Sequence, residues 1–284
     1  MASLTCPPDS RSLLLEARPI VRDLLKPNPL IYWADFLFSI GIGMFFFGLV
    51  RIAPLGSPAQ LACFVISCLL YHRAVTFTHE LAHLPRGKFR LFRITWNLLC
   101  GIPFLMPSFM YYTHMDHHRR THYGTDLDGR YFPFRYRPRI LIVRYLLASL
   151  GVPLLVVTRF LLLAPLSWLC PPYRRWLYSR LSSLVLSSVY VRPKARPEAM
   201  RIMLLQEVAC FLWCLGIIFV PPIVLHRWAI PFAIQAYCTA VFLILLNSLR
   251  TLASHRWTSE GEEMSSEDQA LDSLNYPYRP WFTV

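Results

Sequence analysis

The chain has 284 residues, of which 55% are hydrophobic and only 16% charged, and its mean hydropathy is +0.40. A soluble domain usually carries about 25% charged residues, so this composition excludes an ordinary soluble enzyme and predicts apolar surface in contact with lipid. The net charge of +13 is concentrated at residues 86–93, 119–144 and 174–201, beside apolar runs. That placement favours a membrane over nucleic acid as the partner, and basic loops indicate the cytoplasmic side.

In chain order, residues 1–29 mix apolar and charged positions and predict a short interfacial helix. Residues 30–50 form an apolar run long enough to cross a bilayer, which takes roughly 20 residues. After a turn at residues 51–58, a second helix is predicted from about residue 59 to residue 84. At 1.5 Å per residue it would be roughly 39 Å long, longer than a bilayer core of roughly 30 Å, so its far end should protrude.

The next apolar segment, residues 97–112, is broken by Gly101, Pro103 and Pro107, which predicts a hairpin or re-entrant pair that returns to the same face. Residues 140–190 are apolar but contain four prolines, and predict interfacial helices or a shallow hairpin.

Two further apolar runs, residues 203–225 and 229–250, predict the last helical hairpin. The predicted fold class is therefore all-α: a polytopic membrane protein with about four spanning helices, interfacial or re-entrant helices and a cytoplasmic cap that carries a metal site. We expect one domain over residues 1–284, with an interfacial segment (1–29), a membrane region (30–250) and a cytoplasmic tail (251–284).

Five of the nine histidines lie in two short windows. The first is His79-Glu80-Leu81-Ala82-His83, and the second, about 30 residues later, is His114-Met115-Asp116-His117-His118. Helical spacing places His79 and His83 on one face, and His114 on one face with His117 and His118. Converging neutral imidazoles are typical ligands of a first-row transition metal. His117 and His118 would diverge by roughly 100°, so they could serve two different metals.

These windows resemble the HxxxH and HxxHH boxes of the membrane-bound fatty acid desaturase family. Three other stretches, spread over roughly residues 60–275, resemble the bacterial acyl-lipid desaturases. They are Trp96-Asn97 with Gly101-Ile102-Pro103, Tyr123-Gly124-Thr125, and the segment from Asn247 to Arg256.

The resemblance implies two irons, O2 as oxidant and a double bond inserted into a fatty acyl lipid; relatives on the same scaffold hydroxylate instead. It implies an external electron donor of the ferredoxin or cytochrome b5 type, and a bacterial inner membrane with the histidine boxes in the cytoplasm. His79, His83, His114, His117 and His118 would be ligands, and His255, just after the last predicted span, would join them. A surface histidine is the alternative for His255.

Four other residues are candidates for the surroundings of the metals. Glu80 and Asp116, inside the boxes, would fix the tautomers of ligating histidines by hydrogen bonds. Direct ligation or proton transfer is the alternative for both. Asn97 and Asn247 would reach the site by a hydrogen bond or through water, and helix capping or helix–helix contact explains them equally well.

One feature of the family is missing from this sequence. The family carries a third HxxHH box near its C-terminus, whereas no histidine follows His255 here. The expectation is a chain that stops short of this box, holds less iron and catalyses poorly. Three alternatives to a desaturase follow: an acyl or lipid hydroxylase, an inactive desaturase-like membrane protein, and an intramembrane zinc protease that uses His79-Glu80-Leu81-Ala82-His83 as HExxH.

Overall fold

The computed structural model describes residues 19–20, 27–85 and 87–274, and its regular structure there is helical. The helices are α1 (Pro29–Val50), α2 (Pro58–His83), α3 (Arg90–Trp96), α4 (His114–His117), α5 (Ile140–Thr158), α6 (Ala164–Leu169), α7 (Pro171–Arg180), α8 (Pro197–Leu225), α9 (Ile230–Ala253) and α10 (Ser266–Asp272). The predicted all-α class is confirmed. The interfacial helix predicted for residues 1–29 lies mostly outside the described residues, as do residues 275–284 of the predicted tail.

The first two helices form an antiparallel pair with well-capped starts. The side chain of Asn28 accepts from the backbone of Leu30 at 3.0 Å, and that of Ser57 accepts from Gln60 at 3.1 Å. Each caps an N–H group that the helix leaves unpaired. A methyl group at Gly43 would come within 2.8 Å of the Tyr71 ring, so the two helices approach closely at this point.

Five helical stretches are long and apolar enough to cross a membrane, namely α1, α2, the run of residues 140–169, α8 and α9. In the most apolar part of α8 only 11% of the residues are buried within the chain, and in that of residues 140–169 only 6%. Apolar side chains around such helices therefore face lipid rather than a protein core. The protein is a multi-pass membrane protein.

The run of residues 140–169 combines α5, a π-helical turn (Arg159–Leu163) and α6. The backbone carbonyl of Gly129, before this run, accepts hydrogen bonds from Leu186 at 2.7 Å and Ser187 at 3.2 Å, both after it. A single crossing would place Gly129 and Leu186 on opposite faces of the bilayer. Within the run, the Leu150 carbonyl accepts from the hydroxyl of Tyr237, which lies in the first turns of α9, at 2.9 Å. We infer that this helical run enters the membrane beside α9 and returns to the face it left, as a hairpin, and that α1, α2, α8 and α9 are the four crossings.

A buried ion pair holds this segment against α8. Arg159, which is 2% exposed, forms an ion pair with Glu207, and Arg174 from α7 approaches the same carboxylate at 2.5 Å. Arg159 also donates to the Leu181 carbonyl at 2.8 Å. α8 begins at Pro197, six residues before the predicted apolar run, because its first turns are polar and its start is set by Pro197 rather than by hydropathy.

The inferred topology predicts the accessibility of single cysteines in a background without native cysteine. Lys88→Cys, Lys194→Cys and Glu262→Cys, all at exposed positions, should react with a membrane-impermeant thiol reagent only after the cells are opened. Leu55→Cys, at a residue that is 95% exposed in the turn between α1 and α2, should react in intact cells. Opposite behaviour of positions 88 and 194 would show that residues 140–169 cross the membrane.

Removing the Glu207 carboxylate should destabilise the fold strongly, because Arg159 would be left as an unpaired buried charge. Breaking a buried pair in this way typically costs about 3–5 kcal/mol. Glu207→Ala should therefore lower the Tm of the detergent-solubilised protein clearly. Glu198→Ala, an exposed glutamate in the first turn of the same helix, should change stability by less than about 1 kcal/mol. Equal Tm values for the two variants would contradict the importance of the pair.

Candidate metal centre

The first histidine box occupies the last turns of α2, and the segment after it folds back against this helix. Trp96 of α3, fully buried, donates its indole N–H to the carbonyl of Ala74 at 2.8 Å. The Arg93 guanidinium donates to the carbonyls of Leu81 and Leu84, both at 2.7 Å, and so satisfies acceptors at the C-terminal end of α2. α3 is thereby fixed beside the first box.

The second box is delivered by a hairpin that Asn97 closes. The Asn97 side chain donates to Ser108 Oγ at 3.0 Å and accepts from the Ser108 backbone at 2.9 Å. The short 3₁₀ turn Ser108–Met110 then leads into α4, a single turn that starts at His114. The predicted return of residues 97–112 to the face of the first box is what the structure shows.

Four histidines, two from each box, meet in what we call the four-histidine cluster: His79, His83, His114 and His118. One ligand nitrogen from each lies within 4.8 Å of the others. The ring centroids are 4.6 Å apart for His79 and His83, and 4.5 Å apart for His114 and His118. His114 is buried, whereas His83 and His118 are exposed, so the cluster is open on one side.

The cluster has the donor chemistry of a transition-metal site. The Nε2 atoms of His114 and His118 face each other at 2.8 Å. Two imidazole nitrogens bound to one ion, each at about 2.0–2.1 Å, lie about 3 Å apart when adjacent and about 4 Å apart when opposite. The observed separations, at most 4.8 Å, are close to these values. The residues therefore fit a bound metal.

Desolvation keeps the imidazoles of His114 and His118 neutral. It lowers the pKa of His118 to about 4, assisted by His83, His117 and His79, and it lowers the pKa of His114 far below its usual value. A neutral ring retains the lone pair that a metal requires, so the site is ready for a cation at neutral pH.

His117 turns away from the cluster and meets His255, which follows α9. Their ring centroids are 5.1 Å apart, and we call them the His117–His255 pair. His117 Nδ1 lies 2.7 Å from Oδ2 of Asp128, a residue with no exposed surface. Because a carboxylate can only accept, Nδ1 carries the proton of this hydrogen bond, and in the neutral ring the lone pair is then on Nε2. The loop that returns Asp128 to His117 turns at Gly124, where φ is +74° and a Cβ would lie 2.6 Å from the Ser259 side chain.

His255 has a partner of its own. Its Nδ1 lies 2.9 Å from the hydroxyl of Tyr123, and this hydroxyl lies 2.7 Å from Oδ2 of Asp272 in the tail. Burial raises the pKa of Tyr123 well above its usual value, so its hydroxyl keeps its proton. Burial by itself raises the pKa of Asp272, but hydrogen bonds from Thr258 and the tyrosines outweigh it and lower the pKa overall.

Glu80 and Asp116 both face away from the ligand nitrogens that converge in the cluster. Glu80 accepts a hydrogen bond from Tyr32 of α1 at 2.6 Å, and its other oxygen lies 3.6 Å from His79 Nδ1. Asp116 accepts from Tyr190 at 2.9 Å and lies 3.3 Å from Arg119. Glu80 thus lies beside His79 but beyond hydrogen-bond distance of its ring, whereas Asp116 ties the second box to the segment after α7.

The two candidate asparagines lie in different parts of the structure. Asn97 is buried, and its hydrogen bonds go to the hairpin, with Nδ2 donating to the Arg93 carbonyl at 2.8 Å as well as to Ser108. Asn247 lies exposed on α9, two turns before His255.

Reasoning from the sequence did not assign Tyr123, Asp128 or Asp272 to the site. Asp128 lies 11 residues after His117, beyond helical spacing, and Tyr123 and Asp272 are 149 residues apart. The available signal was Gly124, whose position after Tyr123 indicates a turn that could return Asp128 to the second box.

Comparison with known proteins agrees with this geometry. Residues 55–284 match the family described as fatty acid desaturase. A ceramide hydroxylase of Caulobacter vibrioides is 34% identical over 270 residues, which are 94% of this chain and 75% of that protein. No solved structure matches the chain. With the match covering both histidine boxes and His255, the chain belongs to the fatty acid desaturase family.

Proposed function

We propose that this protein hydroxylates a long-chain lipid of the ceramide class in an oxygen-dependent reaction. The observation that carries the proposal is the four-histidine cluster at the end of a membrane helix. The identity of 34% to a ceramide hydroxylase, over 94% of the chain, supports the reaction and the lipid class.

We propose two irons as the cofactor, one held by His79, His83, His114 and His118 and the other by the His117–His255 pair with further ligands. An all-imidazole donor set suits zinc, copper, iron and nickel alike, and family membership favours iron. Bound iron would supply the activation of O2 that an unactivated C–H bond requires, while the chain supplies binding and orientation.

The chain's own contribution is to hold a lipid methylene beside the cluster. α2 crosses the membrane and carries His79 and His83 at its end, so the cluster lies where a lipid chain can reach it from the bilayer. His83 and His118 are exposed on the open side of the cluster, which leaves room for a substrate chain and O2. Holding one carbon at the reacting centre removes much of the entropic barrier.

Desaturation of a fatty acyl chain, the activity predicted from the sequence, is the second candidate, and the matched family description favours it. Both reactions remove hydrogen from a methylene. Hydroxylation places one oxygen atom of O2 in the lipid and releases the other as water, with two electrons and two protons supplied by a donor. Desaturation removes a second hydrogen instead and releases both oxygen atoms as water.

The electrons would come from a separate protein of the ferredoxin or cytochrome b5 type. Arg119 and Arg120 are exposed next to the second box and offer a basic surface to an acidic donor. The concentration of arginine in the box-bearing segments supports a cytoplasmic location for the boxes at a bacterial inner membrane.

The zinc-protease alternative finds no support in the geometry. A third ligand for His79 and His83 would come from an aspartate in that mechanism, whereas Asp128 binds His117 and the neighbours of His79 and His83 are His114 and His118. Glu80 is bonded to Tyr32. An inactive desaturase-like protein stays a prediction that the activity assay below tests.

Loss of an imidazole from the cluster should lower the metal content of the purified protein. His83→Ala and His118→Ala should each bind markedly less iron than the wild type, measured by elemental analysis after anaerobic loading. His226→Ala, an exposed histidine after α8, should bind as much iron as the wild type. An equal iron content in all three variants would contradict the assignment of the four-histidine cluster as a metal site.

The lipid product separates the two candidate reactions. Membranes from a host that makes ceramide and expresses the protein with a suitable donor should contain a ceramide with one added oxygen, derived from isotope-labelled O2, as measured by mass spectrometry. His118→Ala should abolish this product. A lipid that has lost two hydrogens without gaining labelled oxygen would establish desaturation instead.

A further inference from the structure

We propose that Tyr123 and Asp272 are positioning residues that fix the ring of His255 in its Nδ1–H tautomer and leave its Nε2 free to bind a metal. The metal at this position rests on the proposed function, whereas the tautomer does not.

The hydrogen-bond directions follow from the donors and acceptors present. Asp272 is 1% exposed, and a buried carboxylate can only accept. The single hydroxyl proton of Tyr123 can go to Asp272 Oδ2 at 2.7 Å or to His255 Nδ1 at 2.9 Å. The charge-assisted bond to the carboxylate is the stronger of the two. The Tyr123 oxygen must then accept from His255, so Nδ1 of that ring carries the proton.

The same reasoning gives the tautomer of His117, the other member of the His117–His255 pair. His117 donates from Nδ1 to Asp128, so in the neutral form of both rings the lone pair is on Nε2. Two independent carboxylates, Asp128 in the loop after the second box and Asp272 in the tail, impose the same tautomer on neighbouring histidines. Ligating histidines usually donate their other N–H in this way, and the partner fixes the ring orientation.

The backbone around Asp272 is held firmly enough to serve this role. Residues 272–274 pair with residues 254–256: the Arg256 N–H donates to the Asp272 carbonyl at 2.7 Å, and the Leu274 N–H to the Ser254 carbonyl at 2.9 Å. Asp272 Oδ1 accepts from the Thr258 backbone at 2.7 Å. Asp272 is therefore fixed relative to the segment that carries His255.

Tyr131 provides a matched control. Its hydroxyl also donates to Asp272 Oδ2, at 3.1 Å, but its ring lies 6.0 Å from that of His255 and the two share no hydrogen bond. Tyr123→Phe and Tyr131→Phe each remove one hydroxyl from the same carboxylate and keep the ring. Only Tyr123→Phe removes a hydrogen-bond partner of His255, whose Nδ1 lies 3.7 Å from Asp272 Oδ2 and so beyond a direct hydrogen bond.

The test is the tautomer of His255 in metal-free, detergent-solubilised full-length protein labelled with ¹⁵N-histidine. NMR correlations through the ring protons distinguish Nδ1–H from Nε2–H, and the His255 signals are identified by their loss in His255→Gln. We expect the Nδ1–H pattern in the wild type and in Tyr131→Phe. Tyr123→Phe and Asp272→Asn should lose it, giving the Nε2–H form or a mixture.

An Nε2–H pattern in the wild type, or an unchanged Nδ1–H pattern in Tyr123→Phe, would overturn the inference. A chelator competition then extends the test to the metal. Tyr123→Phe should weaken binding of the iron proposed for the His117–His255 pair by roughly 10- to 100-fold, without effect on the iron of the four-histidine cluster. If the tautomers behave as expected but the wild type binds no iron, the proposed function fails and the positioning role stands.

Discussion

The docking of α3 onto the end of α2 is the interaction on which the site depends. The buried Trp96 indole binds the Ala74 carbonyl, and Arg93 binds the carbonyls of Leu81 and Leu84. A helix that protrudes from a membrane ends with unpaired carbonyls, and here the next segment satisfies them. The chain that follows is thereby turned back toward His79 and His83, so that His114 and His118 can join them.

The site has two parts with different surroundings. The four-histidine cluster is open to solvent at His83 and His118, whereas His117 and His255 are packed among tyrosines and held by the buried Asp128 and Asp272. Open rings suit substrate access, and enclosed rings suit a fixed ligand orientation. The division follows from the geometry of α4, since adjacent residues on a helix point roughly 100° apart.

Charged groups also help to arrange the helices in the membrane. α1, α2, α8 and α9 are long and apolar enough to cross a membrane. Charged groups nevertheless pair on these helices: Asp35 of α1 binds Arg73 of α2, and Glu207 of α8 is buried with Arg159 and Arg174. Because charges are expensive in an apolar medium, the buried Glu207 group specifies where the segment of residues 140–169 lies against α8.

The sequence by itself determined the long apolar helices and the two histidine boxes, because hydropathy and helical spacing act over a few turns. The tertiary structure decided that His117 pairs with His255, that Asp116 binds Tyr190 and that residues 140–169 return to the face they left. Tyr123 is 132 residues from His255 and 149 from Asp272, so no local periodicity could place them together. Contacts at that separation depend on how the helices pack, which local sequence patterns do not encode.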